Sequence, residues 1–140
     1  MSATLWPTTA ARPFPLRVAV AATLIACAAA SLFATPADQT AQAIANAGPE
    51  LTTLLRAMAV LKLALVAGGA WLVDWRLRFP VSPLRGGLYL AGLAMMAAGP
   101  GLIWTMAHVV LGAALLHGGL VLLALVLWRD PGSPAMLARR

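Results

Sequence analysis

The chain alternates long apolar stretches with short polar ones, and the lengths of the apolar stretches set the first expectation. Val18 to Ala37, Leu51 to Val73, Gly86 to Ala98 and Leu102 to Trp128 are the apolar runs, and the last holds no acidic or basic residue until Arg129. A bilayer core of about 30 Å is crossed by roughly 20 helical residues. The pattern predicts an all-α polytopic membrane protein, a bundle of four transmembrane helices over about residues 16–34, 51–73, 84–98 and 102–128, forming one membrane domain. Pro7, Pro13 and Pro15 predict an irregular N-terminal arm over 1–15, and Pro131 and Pro134 a flexible C-terminal tail over 129–140.

Local signals refine this outline. Ala22, Ala26 and Ala30 recur at helical spacing and give the first helix a smooth face for close packing. Its basic start, apolar core and small residues around Ala34 and Ala37 also fit a cleaved signal peptide, and in either case the loop that follows lies outside. Within that loop Gln39 to Ala47 is suited to a short surface helix. The stretch from Gly86 to Ala98 is short for a span, so the third helix is expected to use residues from Val81 onward or to thin the bilayer locally. Gly99, Pro100 and Gly101 predict a tight external hairpin; a single kinked helix running through Pro100 is the alternative.

Composition and charge settle the class. Of 140 residues, 61% are hydrophobic and only 10% charged, with a mean hydropathy of +0.86, where soluble domains carry about 25% charged residues. The net charge of +6 would suggest nucleic acid in a soluble chain, but the basic residues stand at the ends of apolar runs and are read as topology signals. Arg12, Arg17, Arg76, Arg78, Arg85, Arg129, Arg139 and Arg140, eight of the ten basic residues, fall on one side of the predicted topology. The positive-inside bias then puts both termini in the cytoplasm, as a multi-pass protein of an inner (plasma) membrane. Cys27 is alone, which removes disulfide and paired-thiol chemistry and leaves a small helix-packing residue.

No paired carboxylates, glycine-rich phosphate loop or serine with an attendant base occurs, and the chain is expected to be no enzyme. Four ionisable residues within the apolar runs remain as an intramembrane polar site: Arg56, Lys62, His108 and His117. The two histidines, nine positions apart on one predicted helix, would lie about 180° apart around it and about 13 Å along it, so they cannot share a metal or a haem column. Lys62 and His117 come out at matched depth and are expected to face each other or a common polar cavity. The fourth helix would then turn Ala113, Ala114, Val121 and Ala124 toward Gly68 and Gly69 of the second, leaving His108 toward the third helix, a partner or a cofactor.

No Asp or Glu lies at membrane depth in this reading, which disfavours a cation or proton pump and leaves the basic groups in need of an acceptor. A partner subunit supplies one most simply, so the expected function is a non-enzymatic accessory or assembly subunit of a larger membrane complex, with other membrane subunits and the lipid bilayer as partners. The plainer reading is that Arg56 snorkels, Lys62 reaches a carbonyl or water, and neutral histidines bond between helices. A contrasting set is soft: Met106 and His108, with Met58, Met95 and Met96 in the outer half, would suit copper. Gly112 and Gly119 on the His108 face would admit a flat ring such as haem b, although methionine and glycine also serve plain packing there.

The run Arg56-Ala-Met-Ala-Val-Leu-Lys62, followed by Arg76 and Pro80, resembles the lysine-bearing helix and arginine- and proline-containing loop of the copper resistance D family of membrane proteins. The resemblance covers about thirty residues and implies copper handling. The glutamate it implies in the next helix is absent, since Gly86 to Ala98 holds no acidic residue.

Overall fold

The computed structural model describes residues 14–130, with side chains from Arg17 onward; the expected arm up to residue 13, the tail from 131, and with them Arg12, Arg139 and Arg140, lie outside the described residues. These residues form four helices and no strand: α1 Phe14–Phe33, α2 Ala37–Arg76, α3 Pro83–Trp104 and α4 Val109–Trp128. The last three are each long and apolar enough to cross a membrane.

Helix α2 is longer than its apolar run because two helical pieces join at a bend. Gly48 takes φ 77 and ψ 170, a conformation open to glycine and strained for residues with a Cβ. Pro49 then opens the second piece, where its missing N–H costs nothing. The hydroxyls of Thr52 and Thr53 donate to the carbonyls of Gly48 and Pro49 at 2.8 and 2.9 Å, tying the bend to the helix below it. The piece before Gly48 corresponds to the short helix expected over Gln39 to Ala47.

The third and fourth helices divide differently from the expected hairpin at Gly99–Gly101. α3 runs through Pro100 and reaches Trp104 as 22 residues, which removes the predicted shortness of this span. The chain turns at residues 105–108 instead. Met106 there has φ 65, the left-handed region, and its N–H bonds the Ile103 carbonyl at 3.0 Å while that of Thr105 bonds Gly101 at 3.2 Å. The apolar run from Leu102 is thus shared between two helices, and α4 begins at Val109. Glycine beside Pro100 serves packing, since a Cβ at Gly99 would meet the Gly112 carbonyl at 2.7 Å and one at Gly101 would collide with the Ser31 hydroxyl.

Helix α3 is the inner one: 61% of its apolar stretch is buried, against 17% for α2 and 28% for α4. It packs against the other three, most closely α4, whereas α2 and α4 barely meet. The α3–α4 seam is a double glycine crossing in which Gly92 lies against Gly119 and Gly99 against Gly112, each backbone where the other's Cβ would be. Around it Leu93, Met96, Leu116 and Leu123 fill the core, with Ala59, Val66 and Val73 added from one seam of α2.

Contacts at the two ends show alternating helix directions. Arg17 of α1 meets Asp74 of α2 at 3.1 Å, and Arg76 of α2 meets Asp130 beyond α4 at 2.6 Å. At the opposite end the Thr35 and Thr105 hydroxyls lie 3.2 Å apart and Arg56 stands over Trp104.

Candidate functional site

The sequence-predicted polar residues are dispersed. Arg56 is half-buried at the level of Trp104, the last residue of α3, with its guanidinium carbon 5.0 Å from the indole centroid. Lys62 is half-buried and makes no hydrogen bond or ion pair among the described residues. It shares a helix face with Gly69, which looks onto Met96 and Leu123, so it turns toward the α4 side of α3.

His117 is exposed on α4, and its Nδ1 lies 2.7 Å from the Ala113 carbonyl of the preceding turn. The expected meeting of Lys62 and His117 is not made. α4 packs through Gly112, Leu116, Gly119, Leu123 and Val126 against α3, and the side of α4 carrying Ala114, Val121 and Ala124 is exposed rather than set against α2. Gly69 does approach a neighbour, whereas a Cβ at Gly68 would meet nothing.

His108 caps α4 at φ −130 and lies outside the helix, so the two histidines do not share one helical rod. It lines an open hollow of about 580 Å³ together with Met106, Val110 and Ala114. The other methionines are elsewhere. Met58 is exposed on α2, Met96 is fully buried beside Gly69 and Gly119, and Met95 reaches Gly118. Gly118 is ten positions along the chain from His108, about 15 Å of helix, so the five residues expected to hold copper are not gathered. Among the described residues no group of three His, Cys, Asp or Glu comes within reach of one ion. The haem reading also loses its surface, because Gly112 and Gly119 are filled by the backbone of α3.

The densest polar constellation is one that sequence reasoning missed. Asp130, expected as the start of a flexible tail, is almost fully buried. Its Oδ2 accepts from Arg76 Nε at 2.7 Å and from the Tyr89 hydroxyl at 3.1 Å. Arg76 Nη2 lies 2.6 Å from the same oxygen, and Arg85 Nη1 lies 3.6 Å from Oδ1. Residues from α2, α3 and the end of α4 therefore close on one carboxylate. Burial of Arg76 is tolerable because that charge is met by Asp130, although its Nη1 has no partner among the described residues.

A second cluster lies outside it, where Asp74 accepts from Arg17 and Arg78, each at 3.1 Å, at the exposed ends of α1 and α2. The signal that could have revealed both was arithmetic: Asp74 and Asp130 are the two acids near a set of arginines, and a topology count uses only the basic residues. With its carboxylate engaged by guanidinium and phenol groups, the Asp130 cluster can lock helix ends together. A scan against protein-family models, a search of curated proteins and a search of solved structures each found no match.

Proposed function

We propose that the chain is a non-enzymatic accessory or assembly subunit of a larger membrane complex, a bundle of four membrane helices in an inner (plasma) membrane with both termini in the cytoplasm. The orientation is supported by the gathering of Arg17, Arg76, Arg78 and Arg85 at one end of the helices.

The observation that carries the reading is His117. It sits near the middle of α4, on the surface facing away from α3. A carbonyl oxygen only accepts, so Nδ1 holds the proton in the bond to Ala113 and leaves Nε2 as the second polar atom of the ring, at the surface and without a bond to this chain among the described residues. A polar ring atom facing hydrocarbon lacks a hydrogen-bond partner, and a neighbouring subunit's helix with a hydroxyl or amide at that depth, able to donate or accept, would provide one. Val110, Leu111, Val121 and Leu125 supply exposed apolar area around it.

Purification from membranes in a mild detergent tests this. The native chain should carry a stoichiometric membrane-protein partner, and His117→Leu should lose it while keeping its own unfolding midpoint. A chain that carries no partner, or a partner retained unchanged by His117→Leu, overturns the reading.

A further inference from the structure

Helices α1 and α2 scarcely touch each other, since both lean on α3. Between them is a groove of about 220 Å³, walled by Ala28 and Leu32 of α1 and Ala59 and Leu63 of α2, and floored by Pro100 and Trp104 of α3. The small side chains of Ala28 and Ala59 are what leave the space open. Its apolar lining offers water too few hydrogen bonds to hold it there. An alkyl chain, by contrast, gains dispersion contacts on every side.

The mouth of the groove is cationic. Arg56, Ala59 and Leu63 fall at i, i+3 and i+7 on one face of α2, so Arg56 stands directly beyond the groove, over the same Trp104 that floors it. Its charge meets no carboxylate among the described residues, and its Nε is buried without a hydrogen-bond partner. Stacking on an indole offsets part of the cost of that charge and leaves guanidinium donors unused. The depth agrees with a headgroup: Arg56 is level with the last residue of α3, and α1 ends just beyond Leu32, so the groove runs inward from the bilayer surface.

We propose that this groove binds one phospholipid with an anionic headgroup, its acyl chain between α1 and α2 and its phosphate on Arg56. The lipid belongs to the leaflet at the Trp104 end, opposite the arginine-rich end. Phosphate is the acceptor a guanidinium pairs with in two parallel bonds, and Trp104 occupies the interfacial depth at which tryptophan is enriched. The assignment is independent of the subunit reading above.

The test is native mass spectrometry of the chain released from nanodiscs holding phosphatidylcholine and phosphatidylglycerol in equal amounts. Both lipids offer a phosphate, but the choline cation cancels that charge beside Arg56 whereas phosphatidylglycerol leaves it uncompensated. The native chain should therefore retain one phosphatidylglycerol in preference to phosphatidylcholine by about tenfold, or about 1.4 kcal/mol. Arg56→Gln should abolish the preference, lowering phosphatidylglycerol retention to the level of phosphatidylcholine. Ala28→Phe, or Leu63→Trp if the former does not fold, should reduce retention of both lipids with Arg56 intact. Equal retention of the two lipids by the native chain, or a preference that survives Arg56→Gln, overturns the proposal. So does protection against thermal unfolding by inorganic phosphate equal to that by phosphatidylglycerol, which would place a free anion at Arg56.

Discussion

The guanidinium of Arg76 and the carboxylate of Asp130 lie 2.6 Å apart with their side chains 3% and 1% exposed, joining the end of α2 to the end of α4 across the foot of α3. Because α2 and α4 otherwise barely meet, this pair and Tyr89 are the principal tie between them at that end. Removing one member strands the other as a buried charge, which costs about 3 to 5 kcal/mol, while replacing both with apolar residues is often neutral. Arg76→Met and Asp130→Leu should each lower unfolding stability in detergent by that amount, and the double replacement should recover most of it. Singles within about 1 kcal/mol of the native chain would mean that water reaches the pair.

The α3–α4 crossing should be the most intolerant apolar site. A Cβ at Gly112 would lie 2.6 Å from the Gly99 carbonyl, and the contact is backbone that cannot rotate away. Gly112→Ala is therefore expected to cost about 1 to 3 kcal/mol, the range of overpacked cores. Gly87→Ala, on the same α3 but with nothing within 4 Å of the added carbon, should leave stability unchanged or raise it by up to about 1 kcal/mol, the helical preference of alanine over glycine. A denaturant titration of the two variants side by side checks the contrast.

Four helices were legible in the sequence because apolar run length is a direct statement about burial or bilayer thickness. The boundary between the last two was not, because Gly99-Pro100-Gly101 carries two meanings. In water, proline flanked by glycines most simply ends a helix; here neighbouring helices occupy the space at those glycines, and α3 continues. Asp130 was illegible for another reason: its role depends on Arg76 and Tyr89, 54 and 41 positions away, and no periodicity connects them. His117 was correctly picked out as ionisable within an apolar helix, but its facing depended on which side of α4 held the glycines that pack on α3.

Orientation is open to chemical labelling. In a Cys27→Ala background, Ala45→Cys lies in the first piece of α2 and Ser82→Cys in the turn before α3, and both positions are exposed. A membrane-impermeant maleimide applied to intact cells should modify Ala45→Cys, and Ser82→Cys only after permeabilisation. The reverse pattern would invert the proposed topology, and equal labelling of both in intact cells would place the two turns on one side.

Met106 gives an inverted order of substitution. Its φ of 65 is the left-handed conformation, which costs a residue with a Cβ about 1 to 2 kcal/mol and glycine almost nothing. Its side chain is also buried, 8% exposed, and loss of a buried methionine side chain costs about 2 to 5 kcal/mol. Met106→Ala loses the side chain and keeps the backbone strain, whereas Met106→Gly loses the side chain and sheds the strain. Both variants should be less stable than the native chain, but glycine should be the milder by about 1 kcal/mol, the opposite of the helical order in which alanine is favoured. Thermal unfolding of the pair in one detergent decides it: if Met106→Ala is the more stable variant, the turn at residues 105–108 is helical in solution and α3 and α4 are divided elsewhere.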